Sequence, residues 1–485
     1  MPQPPRFRMY QRLEKHTLEI LSEIRKEAEN IGLTDDLKGN IGLGGGSATP
    51  PTVPADVFRA IQDASRKVIS LASLVDQIRD LVKDVYGDNY DAASMSTAEA
   101  ALWVAFDTLV SPPMQGRGDN YRAAYIAPYE RHLHHQGGYG RPFPPKYRDL
   151  FADRGVTAGE LGVQGKRLSN VETIIIPLEG ARYEAHGIKY NTIPMLTTVD
   201  PDLAIERISN VAKIHGDKLS GITSMGYDTI GYGYQIKDGD GTPKLMKYYS
   251  HLARDYNIPY ICDNARGLPF VGTDIRKINA DVILYSMDKA AEATTSGLII
   301  GKEDVMIPIR RAMGFHGARR GTASSYGKTA YVAVDPGKEG LVGQIAALTK
   351  LKENPDGMRK KIDEFYRVVK DEFSSFGSVM EEGIHISKSY NGAAVEVNYV
   401  DTWKDDVMGI PIFSIEDMYS GSNLIQIGLG NMGIRPPLSY DGNVFIVMGQ
   451  GNLDNDGNLI AERVKIAVRG LIRTIEIITE WSRKT

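Results

Sequence analysis

The stretch Asp281-Val282-Ile283-Leu284-Tyr285-Ser286-Met287-Asp288-Lys289 decides the fold, together with the preceding stretch Tyr260-Ile261-Cys262-Asp263-Asn264-Ala265. Each stretch is an apolar run that ends in polar residues. Runs of this kind are typical of buried strands in a parallel sheet, whose functional side chains gather at its carboxyl edge. The two stretches therefore predict nearby strands that place Asp263 and Lys289 at the same edge of a sheet.

An acid and a lysine at two nearby strand ends are the pair that pyridoxal 5'-phosphate (PLP) requires. The carboxylate of Asp263 would keep the pyridine nitrogen of this cofactor protonated, and the amine of Lys289 would form a Schiff base with its aldehyde. The alternative interpretations are a capping or turn aspartate and an ordinary lysine at a strand end. We expect burial and a nearby cation to lower the pKa of Lys289, as a general base requires.

Strand-like and helix-like segments alternate from about residue 56 to residue 280, which predicts an α/β fold with a mostly parallel sheet flanked by helices. The predicted elements are strands over 123–127, 190–196, 221–225, 259–262 and 297–301, and helices over 200–215 and 243–256. Beyond about residue 337 the pattern changes. There we predict helices over 343–351 and 356–373, strands over 393–399, 423–427 and 443–448, and a closing helix over 458–481.

We expect three parts in the chain. Residues 1–84 form an N-terminal helical segment with a Gly-rich connector, and residues 85–336 form the large domain that carries the parallel sheet. Residues 337–485 form a smaller C-terminal α+β domain. Within the first part, an amphipathic helix is predicted over residues 7–31 and a flexible connector over residues 42–51.

The composition excludes several classes of function. A formal net charge of −4 in 485 residues favours no nucleic-acid partner. No apolar run approaches the length of a membrane span, and the amino terminus lacks the apolar core of a secretory signal. The single cysteine, Cys262, excludes an internal disulfide framework and fits a cytoplasmic location. We therefore expect a small-molecule substrate and no membrane partner.

Four elements, in their order along the chain, resemble the fold-type I PLP enzymes, the aspartate aminotransferase superfamily. The stretch Asp91-Ala92-Ala93-Ser94-Met95-Ser96-Thr97-Ala98-Glu99-Ala100 is similar to the family's phosphate-binding turn at a helix start, here a helix predicted over 98–109. A strand and then Tyr129-Glu130-Arg131-His132-Leu133-His134-His135-Gln136-Gly137-Gly138 stand where the family carries the residue that stacks on the cofactor ring. Asp263-Asn264-Ala265 matches the family's D-x-A/H motif, and Ser286-Met287-Asp288-Lys289 holds its lysine.

Within this superfamily the chain looks most like the selenocysteine-synthase-like branch and, more loosely, the β-eliminating lyases of the tyrosine phenol-lyase type. Residues 140–168 are an extra loop relative to both. The resemblance implies the following cofactor-binding residues: Ser96, Thr97, Ala98 and Ser286 at the phosphate, His132 or His135 on the ring, Asp263 with Ala265 at the pyridine nitrogen, and Lys289 as the anchor. For Ser96 and Thr97 the alternative is a plain N-cap pair.

The resemblance also implies residues that bind the substrate. Arg435 would receive the substrate carboxylate, for which a planar guanidinium is suited, or it would form an ion pair between domains. Tyr227 follows a strand end and would line the pocket. Arg319 and Arg320 resemble the loop by which fold-type I dimers contact the neighbouring cofactor. The histidine cluster that includes His134 has no metal-ligand spacing, so we expect no metal.

A tempting nucleotide-binding motif fails on its context. Residues 428–433 match G-x-G-x-x-G and follow a predicted strand, but Arg435-Pro436-Pro437 cannot open the helix that a dinucleotide site needs. The run Gly327-Lys328-Thr329 has the wrong glycine spacing for a P-loop.

The predicted activity is that of an enzyme acting at Cα of an amino acid or amino sugar acid, through a Lys289 Schiff base and a quinonoid. Elimination of a β or γ substituent is the preferred reaction, and transamination or group replacement is the alternative. A third hypothesis is a catalytically silent protein that uses this fold only for binding. The resemblance further implies a homodimer or a higher even oligomer.

Overall fold

A computed structural model of the chain describes residues 12–44, 53–110, 124–127, 189–192, 201–226, 236–289, 291–313, 334–376, 382–391, 394–399, 402, 410, 421–440, 443–454 and 456–484. Its helices are α1 Thr17–Asn30, α2 Ala55–Ser65, α3 Leu71–Tyr86, α4 Ala98–Ala105, α5 Pro201–His215, α6 Lys244–Asp255, α7 Ile275–Ile278, α8 Glu303–Met313, α9 Gly337–Glu353, α10 Pro355–Phe376, α11 Gly421–Met432 and α12 Ala461–Arg483. Its strands are β1 Tyr90–Met95, β2 Ala124–Ala127, β3 Lys189–Thr192, β4 Leu219–Met225, β5 Tyr260–Asp263, β6 Val282–Ser286, β7 Gly297–Lys302, β8 His385–Ser389, β9 Ala394–Asn398, β10 Leu438–Tyr440 and β11 Asn443–Ile446.

A seven-stranded sheet has the strand order β1-β7-β6-β5-β4-β2-β3. Its pairs are parallel from β6 to β3, whereas β7 runs antiparallel to both β1 and β6. Because β7 reverses direction between them, β1 points the same way as β6 and β5. The predicted α/β fold is therefore confirmed, and the carboxyl ends of β1, β5 and β6 share one edge.

The central strands are apolar on both faces because helices cover the sheet on both sides. Successive residues of a strand point to opposite faces. Ile283 and Tyr285 accordingly belong to one buried cluster, and Val282 and Leu284 belong to the other. Helices α4 and α8 line the second cluster, whereas α3, α6 and α9 contribute to the first.

A second sheet is antiparallel, with the order β10-β11-β9-β8. Helix α10 packs on β8 and β9 and also on α12, and α1 packs against α11 and α12. The N-terminal segment thus joins the C-terminal part of the chain. Helix α9, by contrast, packs on α2 and α3. The chain beyond residue 337 is therefore divided between the second sheet and these two helices.

The predicted strand over 423–427 is wrong, because these residues lie in α11. A short apolar run does not distinguish a strand from a buried helix by its periodicity. In the structure Leu424, Ile425, Leu429 and Met432 are buried, whereas Ile427 is 48% exposed, which is the spacing of one helical face. The G-x-G-x-x-G match therefore begins inside a helix and does not follow a strand.

The first part of the predicted flexible connector is ordered and packed. The Leu43 amide donates to the Arg435 carbonyl over 2.9 Å, and the Arg435 amide donates to the Ile41 carbonyl over 3.0 Å. The Val447 amide donates to the Leu43 carbonyl over 2.7 Å. A Cβ on Gly42 would lie 2.2 Å from Cβ of Arg435, so this close approach requires glycine. The rest of the connector lies outside the described residues.

Two smaller differences concern helix lengths. The helix predicted over 98–109 ends as an α-helix at Ala105 and continues as a wider turn of π-helix over Phe106–Val110. The helix predicted over 343–351 is longer and spans Gly337–Glu353. Among the described residues, no helix is both long enough and apolar enough to cross a membrane.

Candidate active site

The turn after β5 holds the carboxylate of Asp263 at the edge of the sheet. Asp263 is 3% exposed, and its Oδ1 accepts a hydrogen bond of 3.1 Å from the Ala265 amide. The Asn264 amide donates to the Leu284 carbonyl of β6 over 2.9 Å, and the Ser286 amide donates to the Ala265 carbonyl over 3.1 Å. Asp263 and the end of β6 therefore form one hydrogen-bonded unit.

The end of β6 and the turn after it carry three polar side chains, of Ser286, Asp288 and Lys289. Ser286 and Asp288 are fully buried, and the Ser286 hydroxyl donates to Asp288 Oδ1 over 2.5 Å. The other carboxylate oxygen of Asp288 is buried and has no hydrogen-bond partner among the described residues. Lys289 follows in the same turn and is half-buried. The hydroxyl proton of Ser286 thus already has an acceptor, so a contact with phosphate would compete with Asp288.

The amine of Lys289 lies among charges of both signs. Burial is the largest cause that lowers its pKa below the ordinary value of a lysine, and the positive charge of Arg266 lowers it further. The carboxylates of Asp288, Asp263 and Glu99 act in the opposite direction. The net shift is downward, as expected from the sequence. A lowered pKa increases the fraction of neutral amine, which is the form that reacts with an aldehyde.

Arg266 is a candidate that our sequence reasoning missed. Its side chain is 1% exposed, and Nη2 donates to the Phe445 carbonyl over 3.4 Å. Its guanidinium carbon lies 5.3 Å from the centroid of the Phe445 ring. The Nε and Nη1 groups have no hydrogen-bond partner in the described part of the chain. Arg266 also lines a small cleft with Tyr390 and Met448. An arginine three positions after the acid of the strand end was the available signal.

Arg435 is brought to the same group of charges. Burial lowers its pKa to about 10, and the nearby carboxylate of Asp288 opposes that shift. Asp288 therefore acts on both Arg435 and Lys289. The neighbouring carboxylate of Asp288 fits the ion-pair interpretation of Arg435 and leaves the substrate-binding interpretation untested.

The turn after β1 begins helix α4 in the way expected of an N-cap. Thr97 is extended, with φ −152° and ψ 163°, and its Oγ1 accepts from the Ala100 amide over 3.0 Å. The cap satisfies only one of the amides that open a helix, and the first amides of a helix have no carbonyl partner within it. Ala98 is the first residue of α4. The N-cap alternative for Thr97 is thus compatible with anion binding at this helix start.

Close packing fixes this turn against the start of β7. A Cβ added to Gly297 would lie 2.2 Å from the Thr97 carbonyl oxygen, so the two backbones touch. The amide of Ser96 donates to the Val334 carbonyl over 2.6 Å and is therefore not available to a ligand. Only the side chain of Ser96 can serve the predicted phosphate contact.

A buried glutamine of α9 connects the two strands beneath this turn. Gln344 is fully buried; its Oε1 accepts from the Ser94 hydroxyl over 2.7 Å, and its Nε2 donates to the Gly297 carbonyl over 3.1 Å. These bonds join β1 to β7 directly before the predicted phosphate-binding turn. Gln344 matters through a partner that lies about 250 residues away in the chain. Nothing in the sequence around Gln344 indicates this contact.

Several predicted site residues lie outside the described residues. These are His132, His135, Tyr227, and the loop arginines Arg319 and Arg320. Within the described ranges, no group of three His, Cys, Asp or Glu side chains could hold a metal ion.

No family model matches the chain, and no curated protein sequence matches it. Solved structures do match its fold. The SepCysS–SepCysE N-terminal domain complex is 10% identical with a TM-score of 0.51, covering 90% of this chain and 95% of that chain. The alanine–glyoxylate aminotransferase of Nostoc sp. is 13% identical with a TM-score of 0.50, covering 90% and 94%. The multiple substrate aminotransferase of Thermococcus profundus is 10% identical with a TM-score of 0.50, covering 94% and 95%.

These similarities agree with the geometry of the described residues. In the described part of the chain, a single strand, β7, is reversed in an otherwise parallel sheet, and the polar ends of β1, β5 and β6 lie at one edge. The structural matches cover nine-tenths of the chain. The chain has the fold of the fold-type I PLP-dependent enzymes.

Proposed function

We propose that this protein is a PLP-dependent enzyme that acts at Cα of an amino acid or amino sugar acid. The observation that carries the proposal is the position of Lys289. Its pKa is lowered, and it lies in the turn after β6. Ser286, at the end of this strand, is hydrogen-bonded to the turn that presents Asp263. A half-buried amine with a lowered pKa near a buried carboxylate is typical of functional sites.

The side chains at this edge fit the chemical groups of PLP. The amine of Lys289 suits an aldehyde, and the carboxylate of Asp263 suits a protonated ring nitrogen. Arg266 is fully buried and keeps two N–H groups without partners in the described residues, which suits an anionic ligand. The start of α4 at Ala98 suits a phosphate. When bound, PLP would withdraw electrons from Cα of an amino acid held through its amino group.

We assign the following roles to the residues of the chain. Lys289 Nζ takes the proton from Cα as a general base and returns it during turnover. Asp263 keeps a proton on the ring nitrogen. Arg435 receives the substrate carboxylate. Ser96 and the helix start at Thr97 and Ala98 hold the phosphate, with Ser286 as a further donor. The ring-stacking roles of His132 or His135 and the pocket role of Tyr227 are proposed from the resemblance.

The cofactor proposal is tested by the visible absorbance of the purified protein with added PLP. We expect a yellow band that borohydride bleaches, with the cofactor then attached covalently to Lys289 in a peptide digest. Lys289→Ala should show no such band, whereas Lys277→Ala, which removes an exposed lysine of α7, should behave like the wild type. A wild-type protein that takes up no PLP would leave only the fold.

For the reaction type we propose elimination of a β or γ substituent, because the chain resembles, though more loosely, the β-eliminating lyases of the tyrosine phenol-lyase type. Transamination is the second candidate, since two of the reported structural matches are named as aminotransferases. The two reactions differ in their need for a second substrate. Elimination releases ammonia and a 2-oxo acid over many turnovers from the amino acid alone. Transamination stops after one equivalent unless a 2-oxo acid accepts the amino group.

We therefore propose to follow ammonia and 2-oxo acid from a panel of amino acids that carry leaving groups, with and without an added 2-oxo acid. Sustained ammonia release without the acceptor supports elimination. A single equivalent that becomes catalytic only with the acceptor supports transamination. If no amino acid changes the absorbance of the bound cofactor, the silent binding protein becomes the better explanation.

We also propose that the protein is a homodimer or a higher even oligomer, because the resemblance implies active sites at a subunit interface. Sedimentation velocity gives the mass of the particle directly. A monomer at micromolar concentration that is fully loaded with PLP would contradict this part of the proposal.

A further inference from the structure

A bridge of side-chain amides connects the turn that holds Asp263 to the second sheet. The Asn264 Nδ2 group donates to Asn391 Oδ1 over 2.6 Å. Asn264 is fully buried and Asn391 is 2% exposed. Asn391 follows β8, at the hairpin between β8 and β9, and is 127 residues further along the chain. This hydrogen bond thus joins the central sheet to the hairpin of the other sheet.

The bridge continues beyond Asn391 and returns to the central sheet. Asn391 Nδ2 donates to the Thr273 hydroxyl, which in turn donates to the Gly226 carbonyl over 2.8 Å. The Gly226 amide donates to the Asp263 carbonyl over 2.8 Å. Asn391 therefore contacts the ends of β4 and β5 through two separate routes, one by way of Asn264 and one by way of Thr273.

Glycines surround the two amides so closely that no side chain fits beside them. A Cβ on Gly226 would lie 2.4 Å from Cγ of Asn264, and a Cβ on Gly267 would lie 2.2 Å from its Nδ2. A Cβ on Gly272 would lie 2.6 Å from Asn391 Oδ1. Contacts this close leave the two side chains little room to rotate, so the packing holds both amides in one arrangement.

The carboxylate of Asp263 depends on this arrangement. Its Oδ1 accepts from the Ala265 amide over 3.1 Å, and Asn264 is the residue between them. The bond from Asn264 to Asn391 anchors the turn from which this amide donates, so it restrains the backbone that orients Asp263. The same turn leads to Arg266, which lines a small cleft together with Tyr390, the neighbour of Asn391.

We propose that Asn391 is a positioning residue that acts through Asn264 to hold the Asp263 carboxylate in place for the ring nitrogen of PLP. This inference rests on the proposed function. It assigns to Asn391, directly after β8, a role that it exerts on the site through Asn264.

The test uses Asn391→Ala in the full chain with two readouts other than activity. One is the Kd for PLP. The other is the nitrogen-15 NMR signal of PLP labelled at its ring nitrogen, which reports whether that nitrogen carries a proton. We expect a Kd that is roughly tenfold weaker, because a buried partner is left unpaired, and a ring nitrogen that loses its proton at lower pH than in the wild type. Asn398→Ala, at a 1% exposed asparagine of β9, is the matched control and should keep both wild-type values.

A double-mutant cycle isolates the bond itself. If Asn391 acts through Asn264, then Asn264→Ala and the double variant should weaken PLP binding by about the same factor as Asn391→Ala alone. Additive losses would overturn the proposed route. If Asn391→Ala does not fold, Thr273→Val removes one partner of Asn391 and should shift both readouts in the same direction by less.

The remaining outcomes separate this inference from the proposed function. If Asn391→Ala lowers only the melting temperature, or changes nothing, while the Kd and the nitrogen signal stay at wild-type values, the contact is purely structural and the inference is wrong. If the wild-type protein takes up no PLP at all, the proposed function fails and the inference fails with it.

Discussion

At the scale of single residues, Lys289 shows how neighbouring charges set its reactivity. Burial and Arg266 lower its pKa, whereas Asp288 raises it. Arg266→Met removes the cation, so the pKa of Lys289 should rise and the uptake of PLP by the cofactor-free protein should shift to higher pH. Asp288→Asn removes an opposing carboxylate, so the same profile should shift to lower pH. Rates of PLP uptake measured across pH in both variants check these signs.

This prediction is decided by the opposite directions in which the two variants should shift the pH profile of PLP uptake. Two variants that merely loosened the site would shift the profile in the same direction or slow the reaction at every pH. Parallel shifts would therefore contradict the electrostatic explanation. The wild-type profile itself should have its midpoint below the ordinary pKa of a lysine.

Thr97 offers a second prediction at this scale, because its hydroxyl serves as an N-cap and is also predicted to bind phosphate. Thr97→Ala should cost about 1 kcal/mol of stability through the lost cap and should also weaken PLP binding. Thr97→Ser keeps a hydroxyl in the same place and should restore both properties. Thermal unfolding without PLP and a PLP titration separate the two effects. A Thr97→Ala protein that is less stable but binds PLP normally would leave Thr97 as a cap alone.

Some site residues could be predicted from the sequence and others could not. Asp263 and Lys289 follow apolar strands directly, so a local pattern places both at the carboxyl edge. Arg266 follows the same strand, but its burial depends on Phe445 in the second sheet. Gln344 is fixed by a contact between α9 and β1. Contacts between residues so far apart in the sequence leave no local pattern, and that is why both were missed.

At the scale of elements, the junction between β7 and α4 predicts a strict need for glycine. A Cβ on Gly297 would meet the backbone oxygen of Thr97 at 2.2 Å, and backbone cannot move aside as a flexible side chain can. Gly297→Ala should therefore destabilise the protein by about 1–3 kcal/mol and weaken PLP binding through the displaced turn. Unfolding in urea and a PLP titration are the measurements.

The matched control is Gly430→Ala. Gly430 lies in α11, and a Cβ there would have nothing within 4 Å. Replacing glycine by alanine inside a helix favours the helix, so this variant should be stabilised by about 0.5–1 kcal/mol. Equal effects of the two substitutions, in either direction, would show that the contact with Thr97 does not restrict the site.

The elements that were missed or wrongly assigned from the sequence are those whose type depends on their surroundings. Strand β1 (Tyr-Asp-Ala-Ala-Ser-Met) was not among the predicted strands, because it has no β-branched residue and is stabilised by pairing with β7. Helix α11 contains a short apolar run, and the sequence alone does not distinguish such a run from a strand. Its apolar face is recognised only from the packing of α1 and α12 against it. The central strands β5, β6 and β7, by contrast, were predictable because each contains a run of apolar residues.

At the scale of the whole molecule, the two ends of the chain pack together. Helix α1 lies against α11 and α12. The Trp481 Nε1 group donates to Glu23 over 2.8 Å, and Arg473 Nε donates to Glu27 over 3.0 Å. Both bonds join the first described helix to the last one. Helix α1 should therefore unfold together with α11 and α12 and not as a separate element.

Two substitutions in α1 test this cooperative packing. Ile24 is fully buried, and a Cβ added to Gly428 of α11 would lie 3.0 Å from the Ile24 side chain. Leu18, also in α1, is 81% exposed. Ile24→Ala should lower the free energy of unfolding by about 3 kcal/mol because it leaves a cavity between α1 and α11. Leu18→Ala should change it by less than about 0.5 kcal/mol. Chemical unfolding followed by circular dichroism gives both values.

The shape of the unfolding transition is the more informative result. If α1 is part of one cooperative unit with α11 and α12, Ile24→Ala shifts that transition as a whole and introduces no early step. An early loss of helix with the main transition unchanged would show that α1 opens independently. Because the residues that follow α1 pair with Arg435, independent opening would also release the strand-like segment that holds this arginine beside Asp288. The same unfolding measurement therefore reports on the packing of α1 and on the segment that positions Arg435 in the candidate active site.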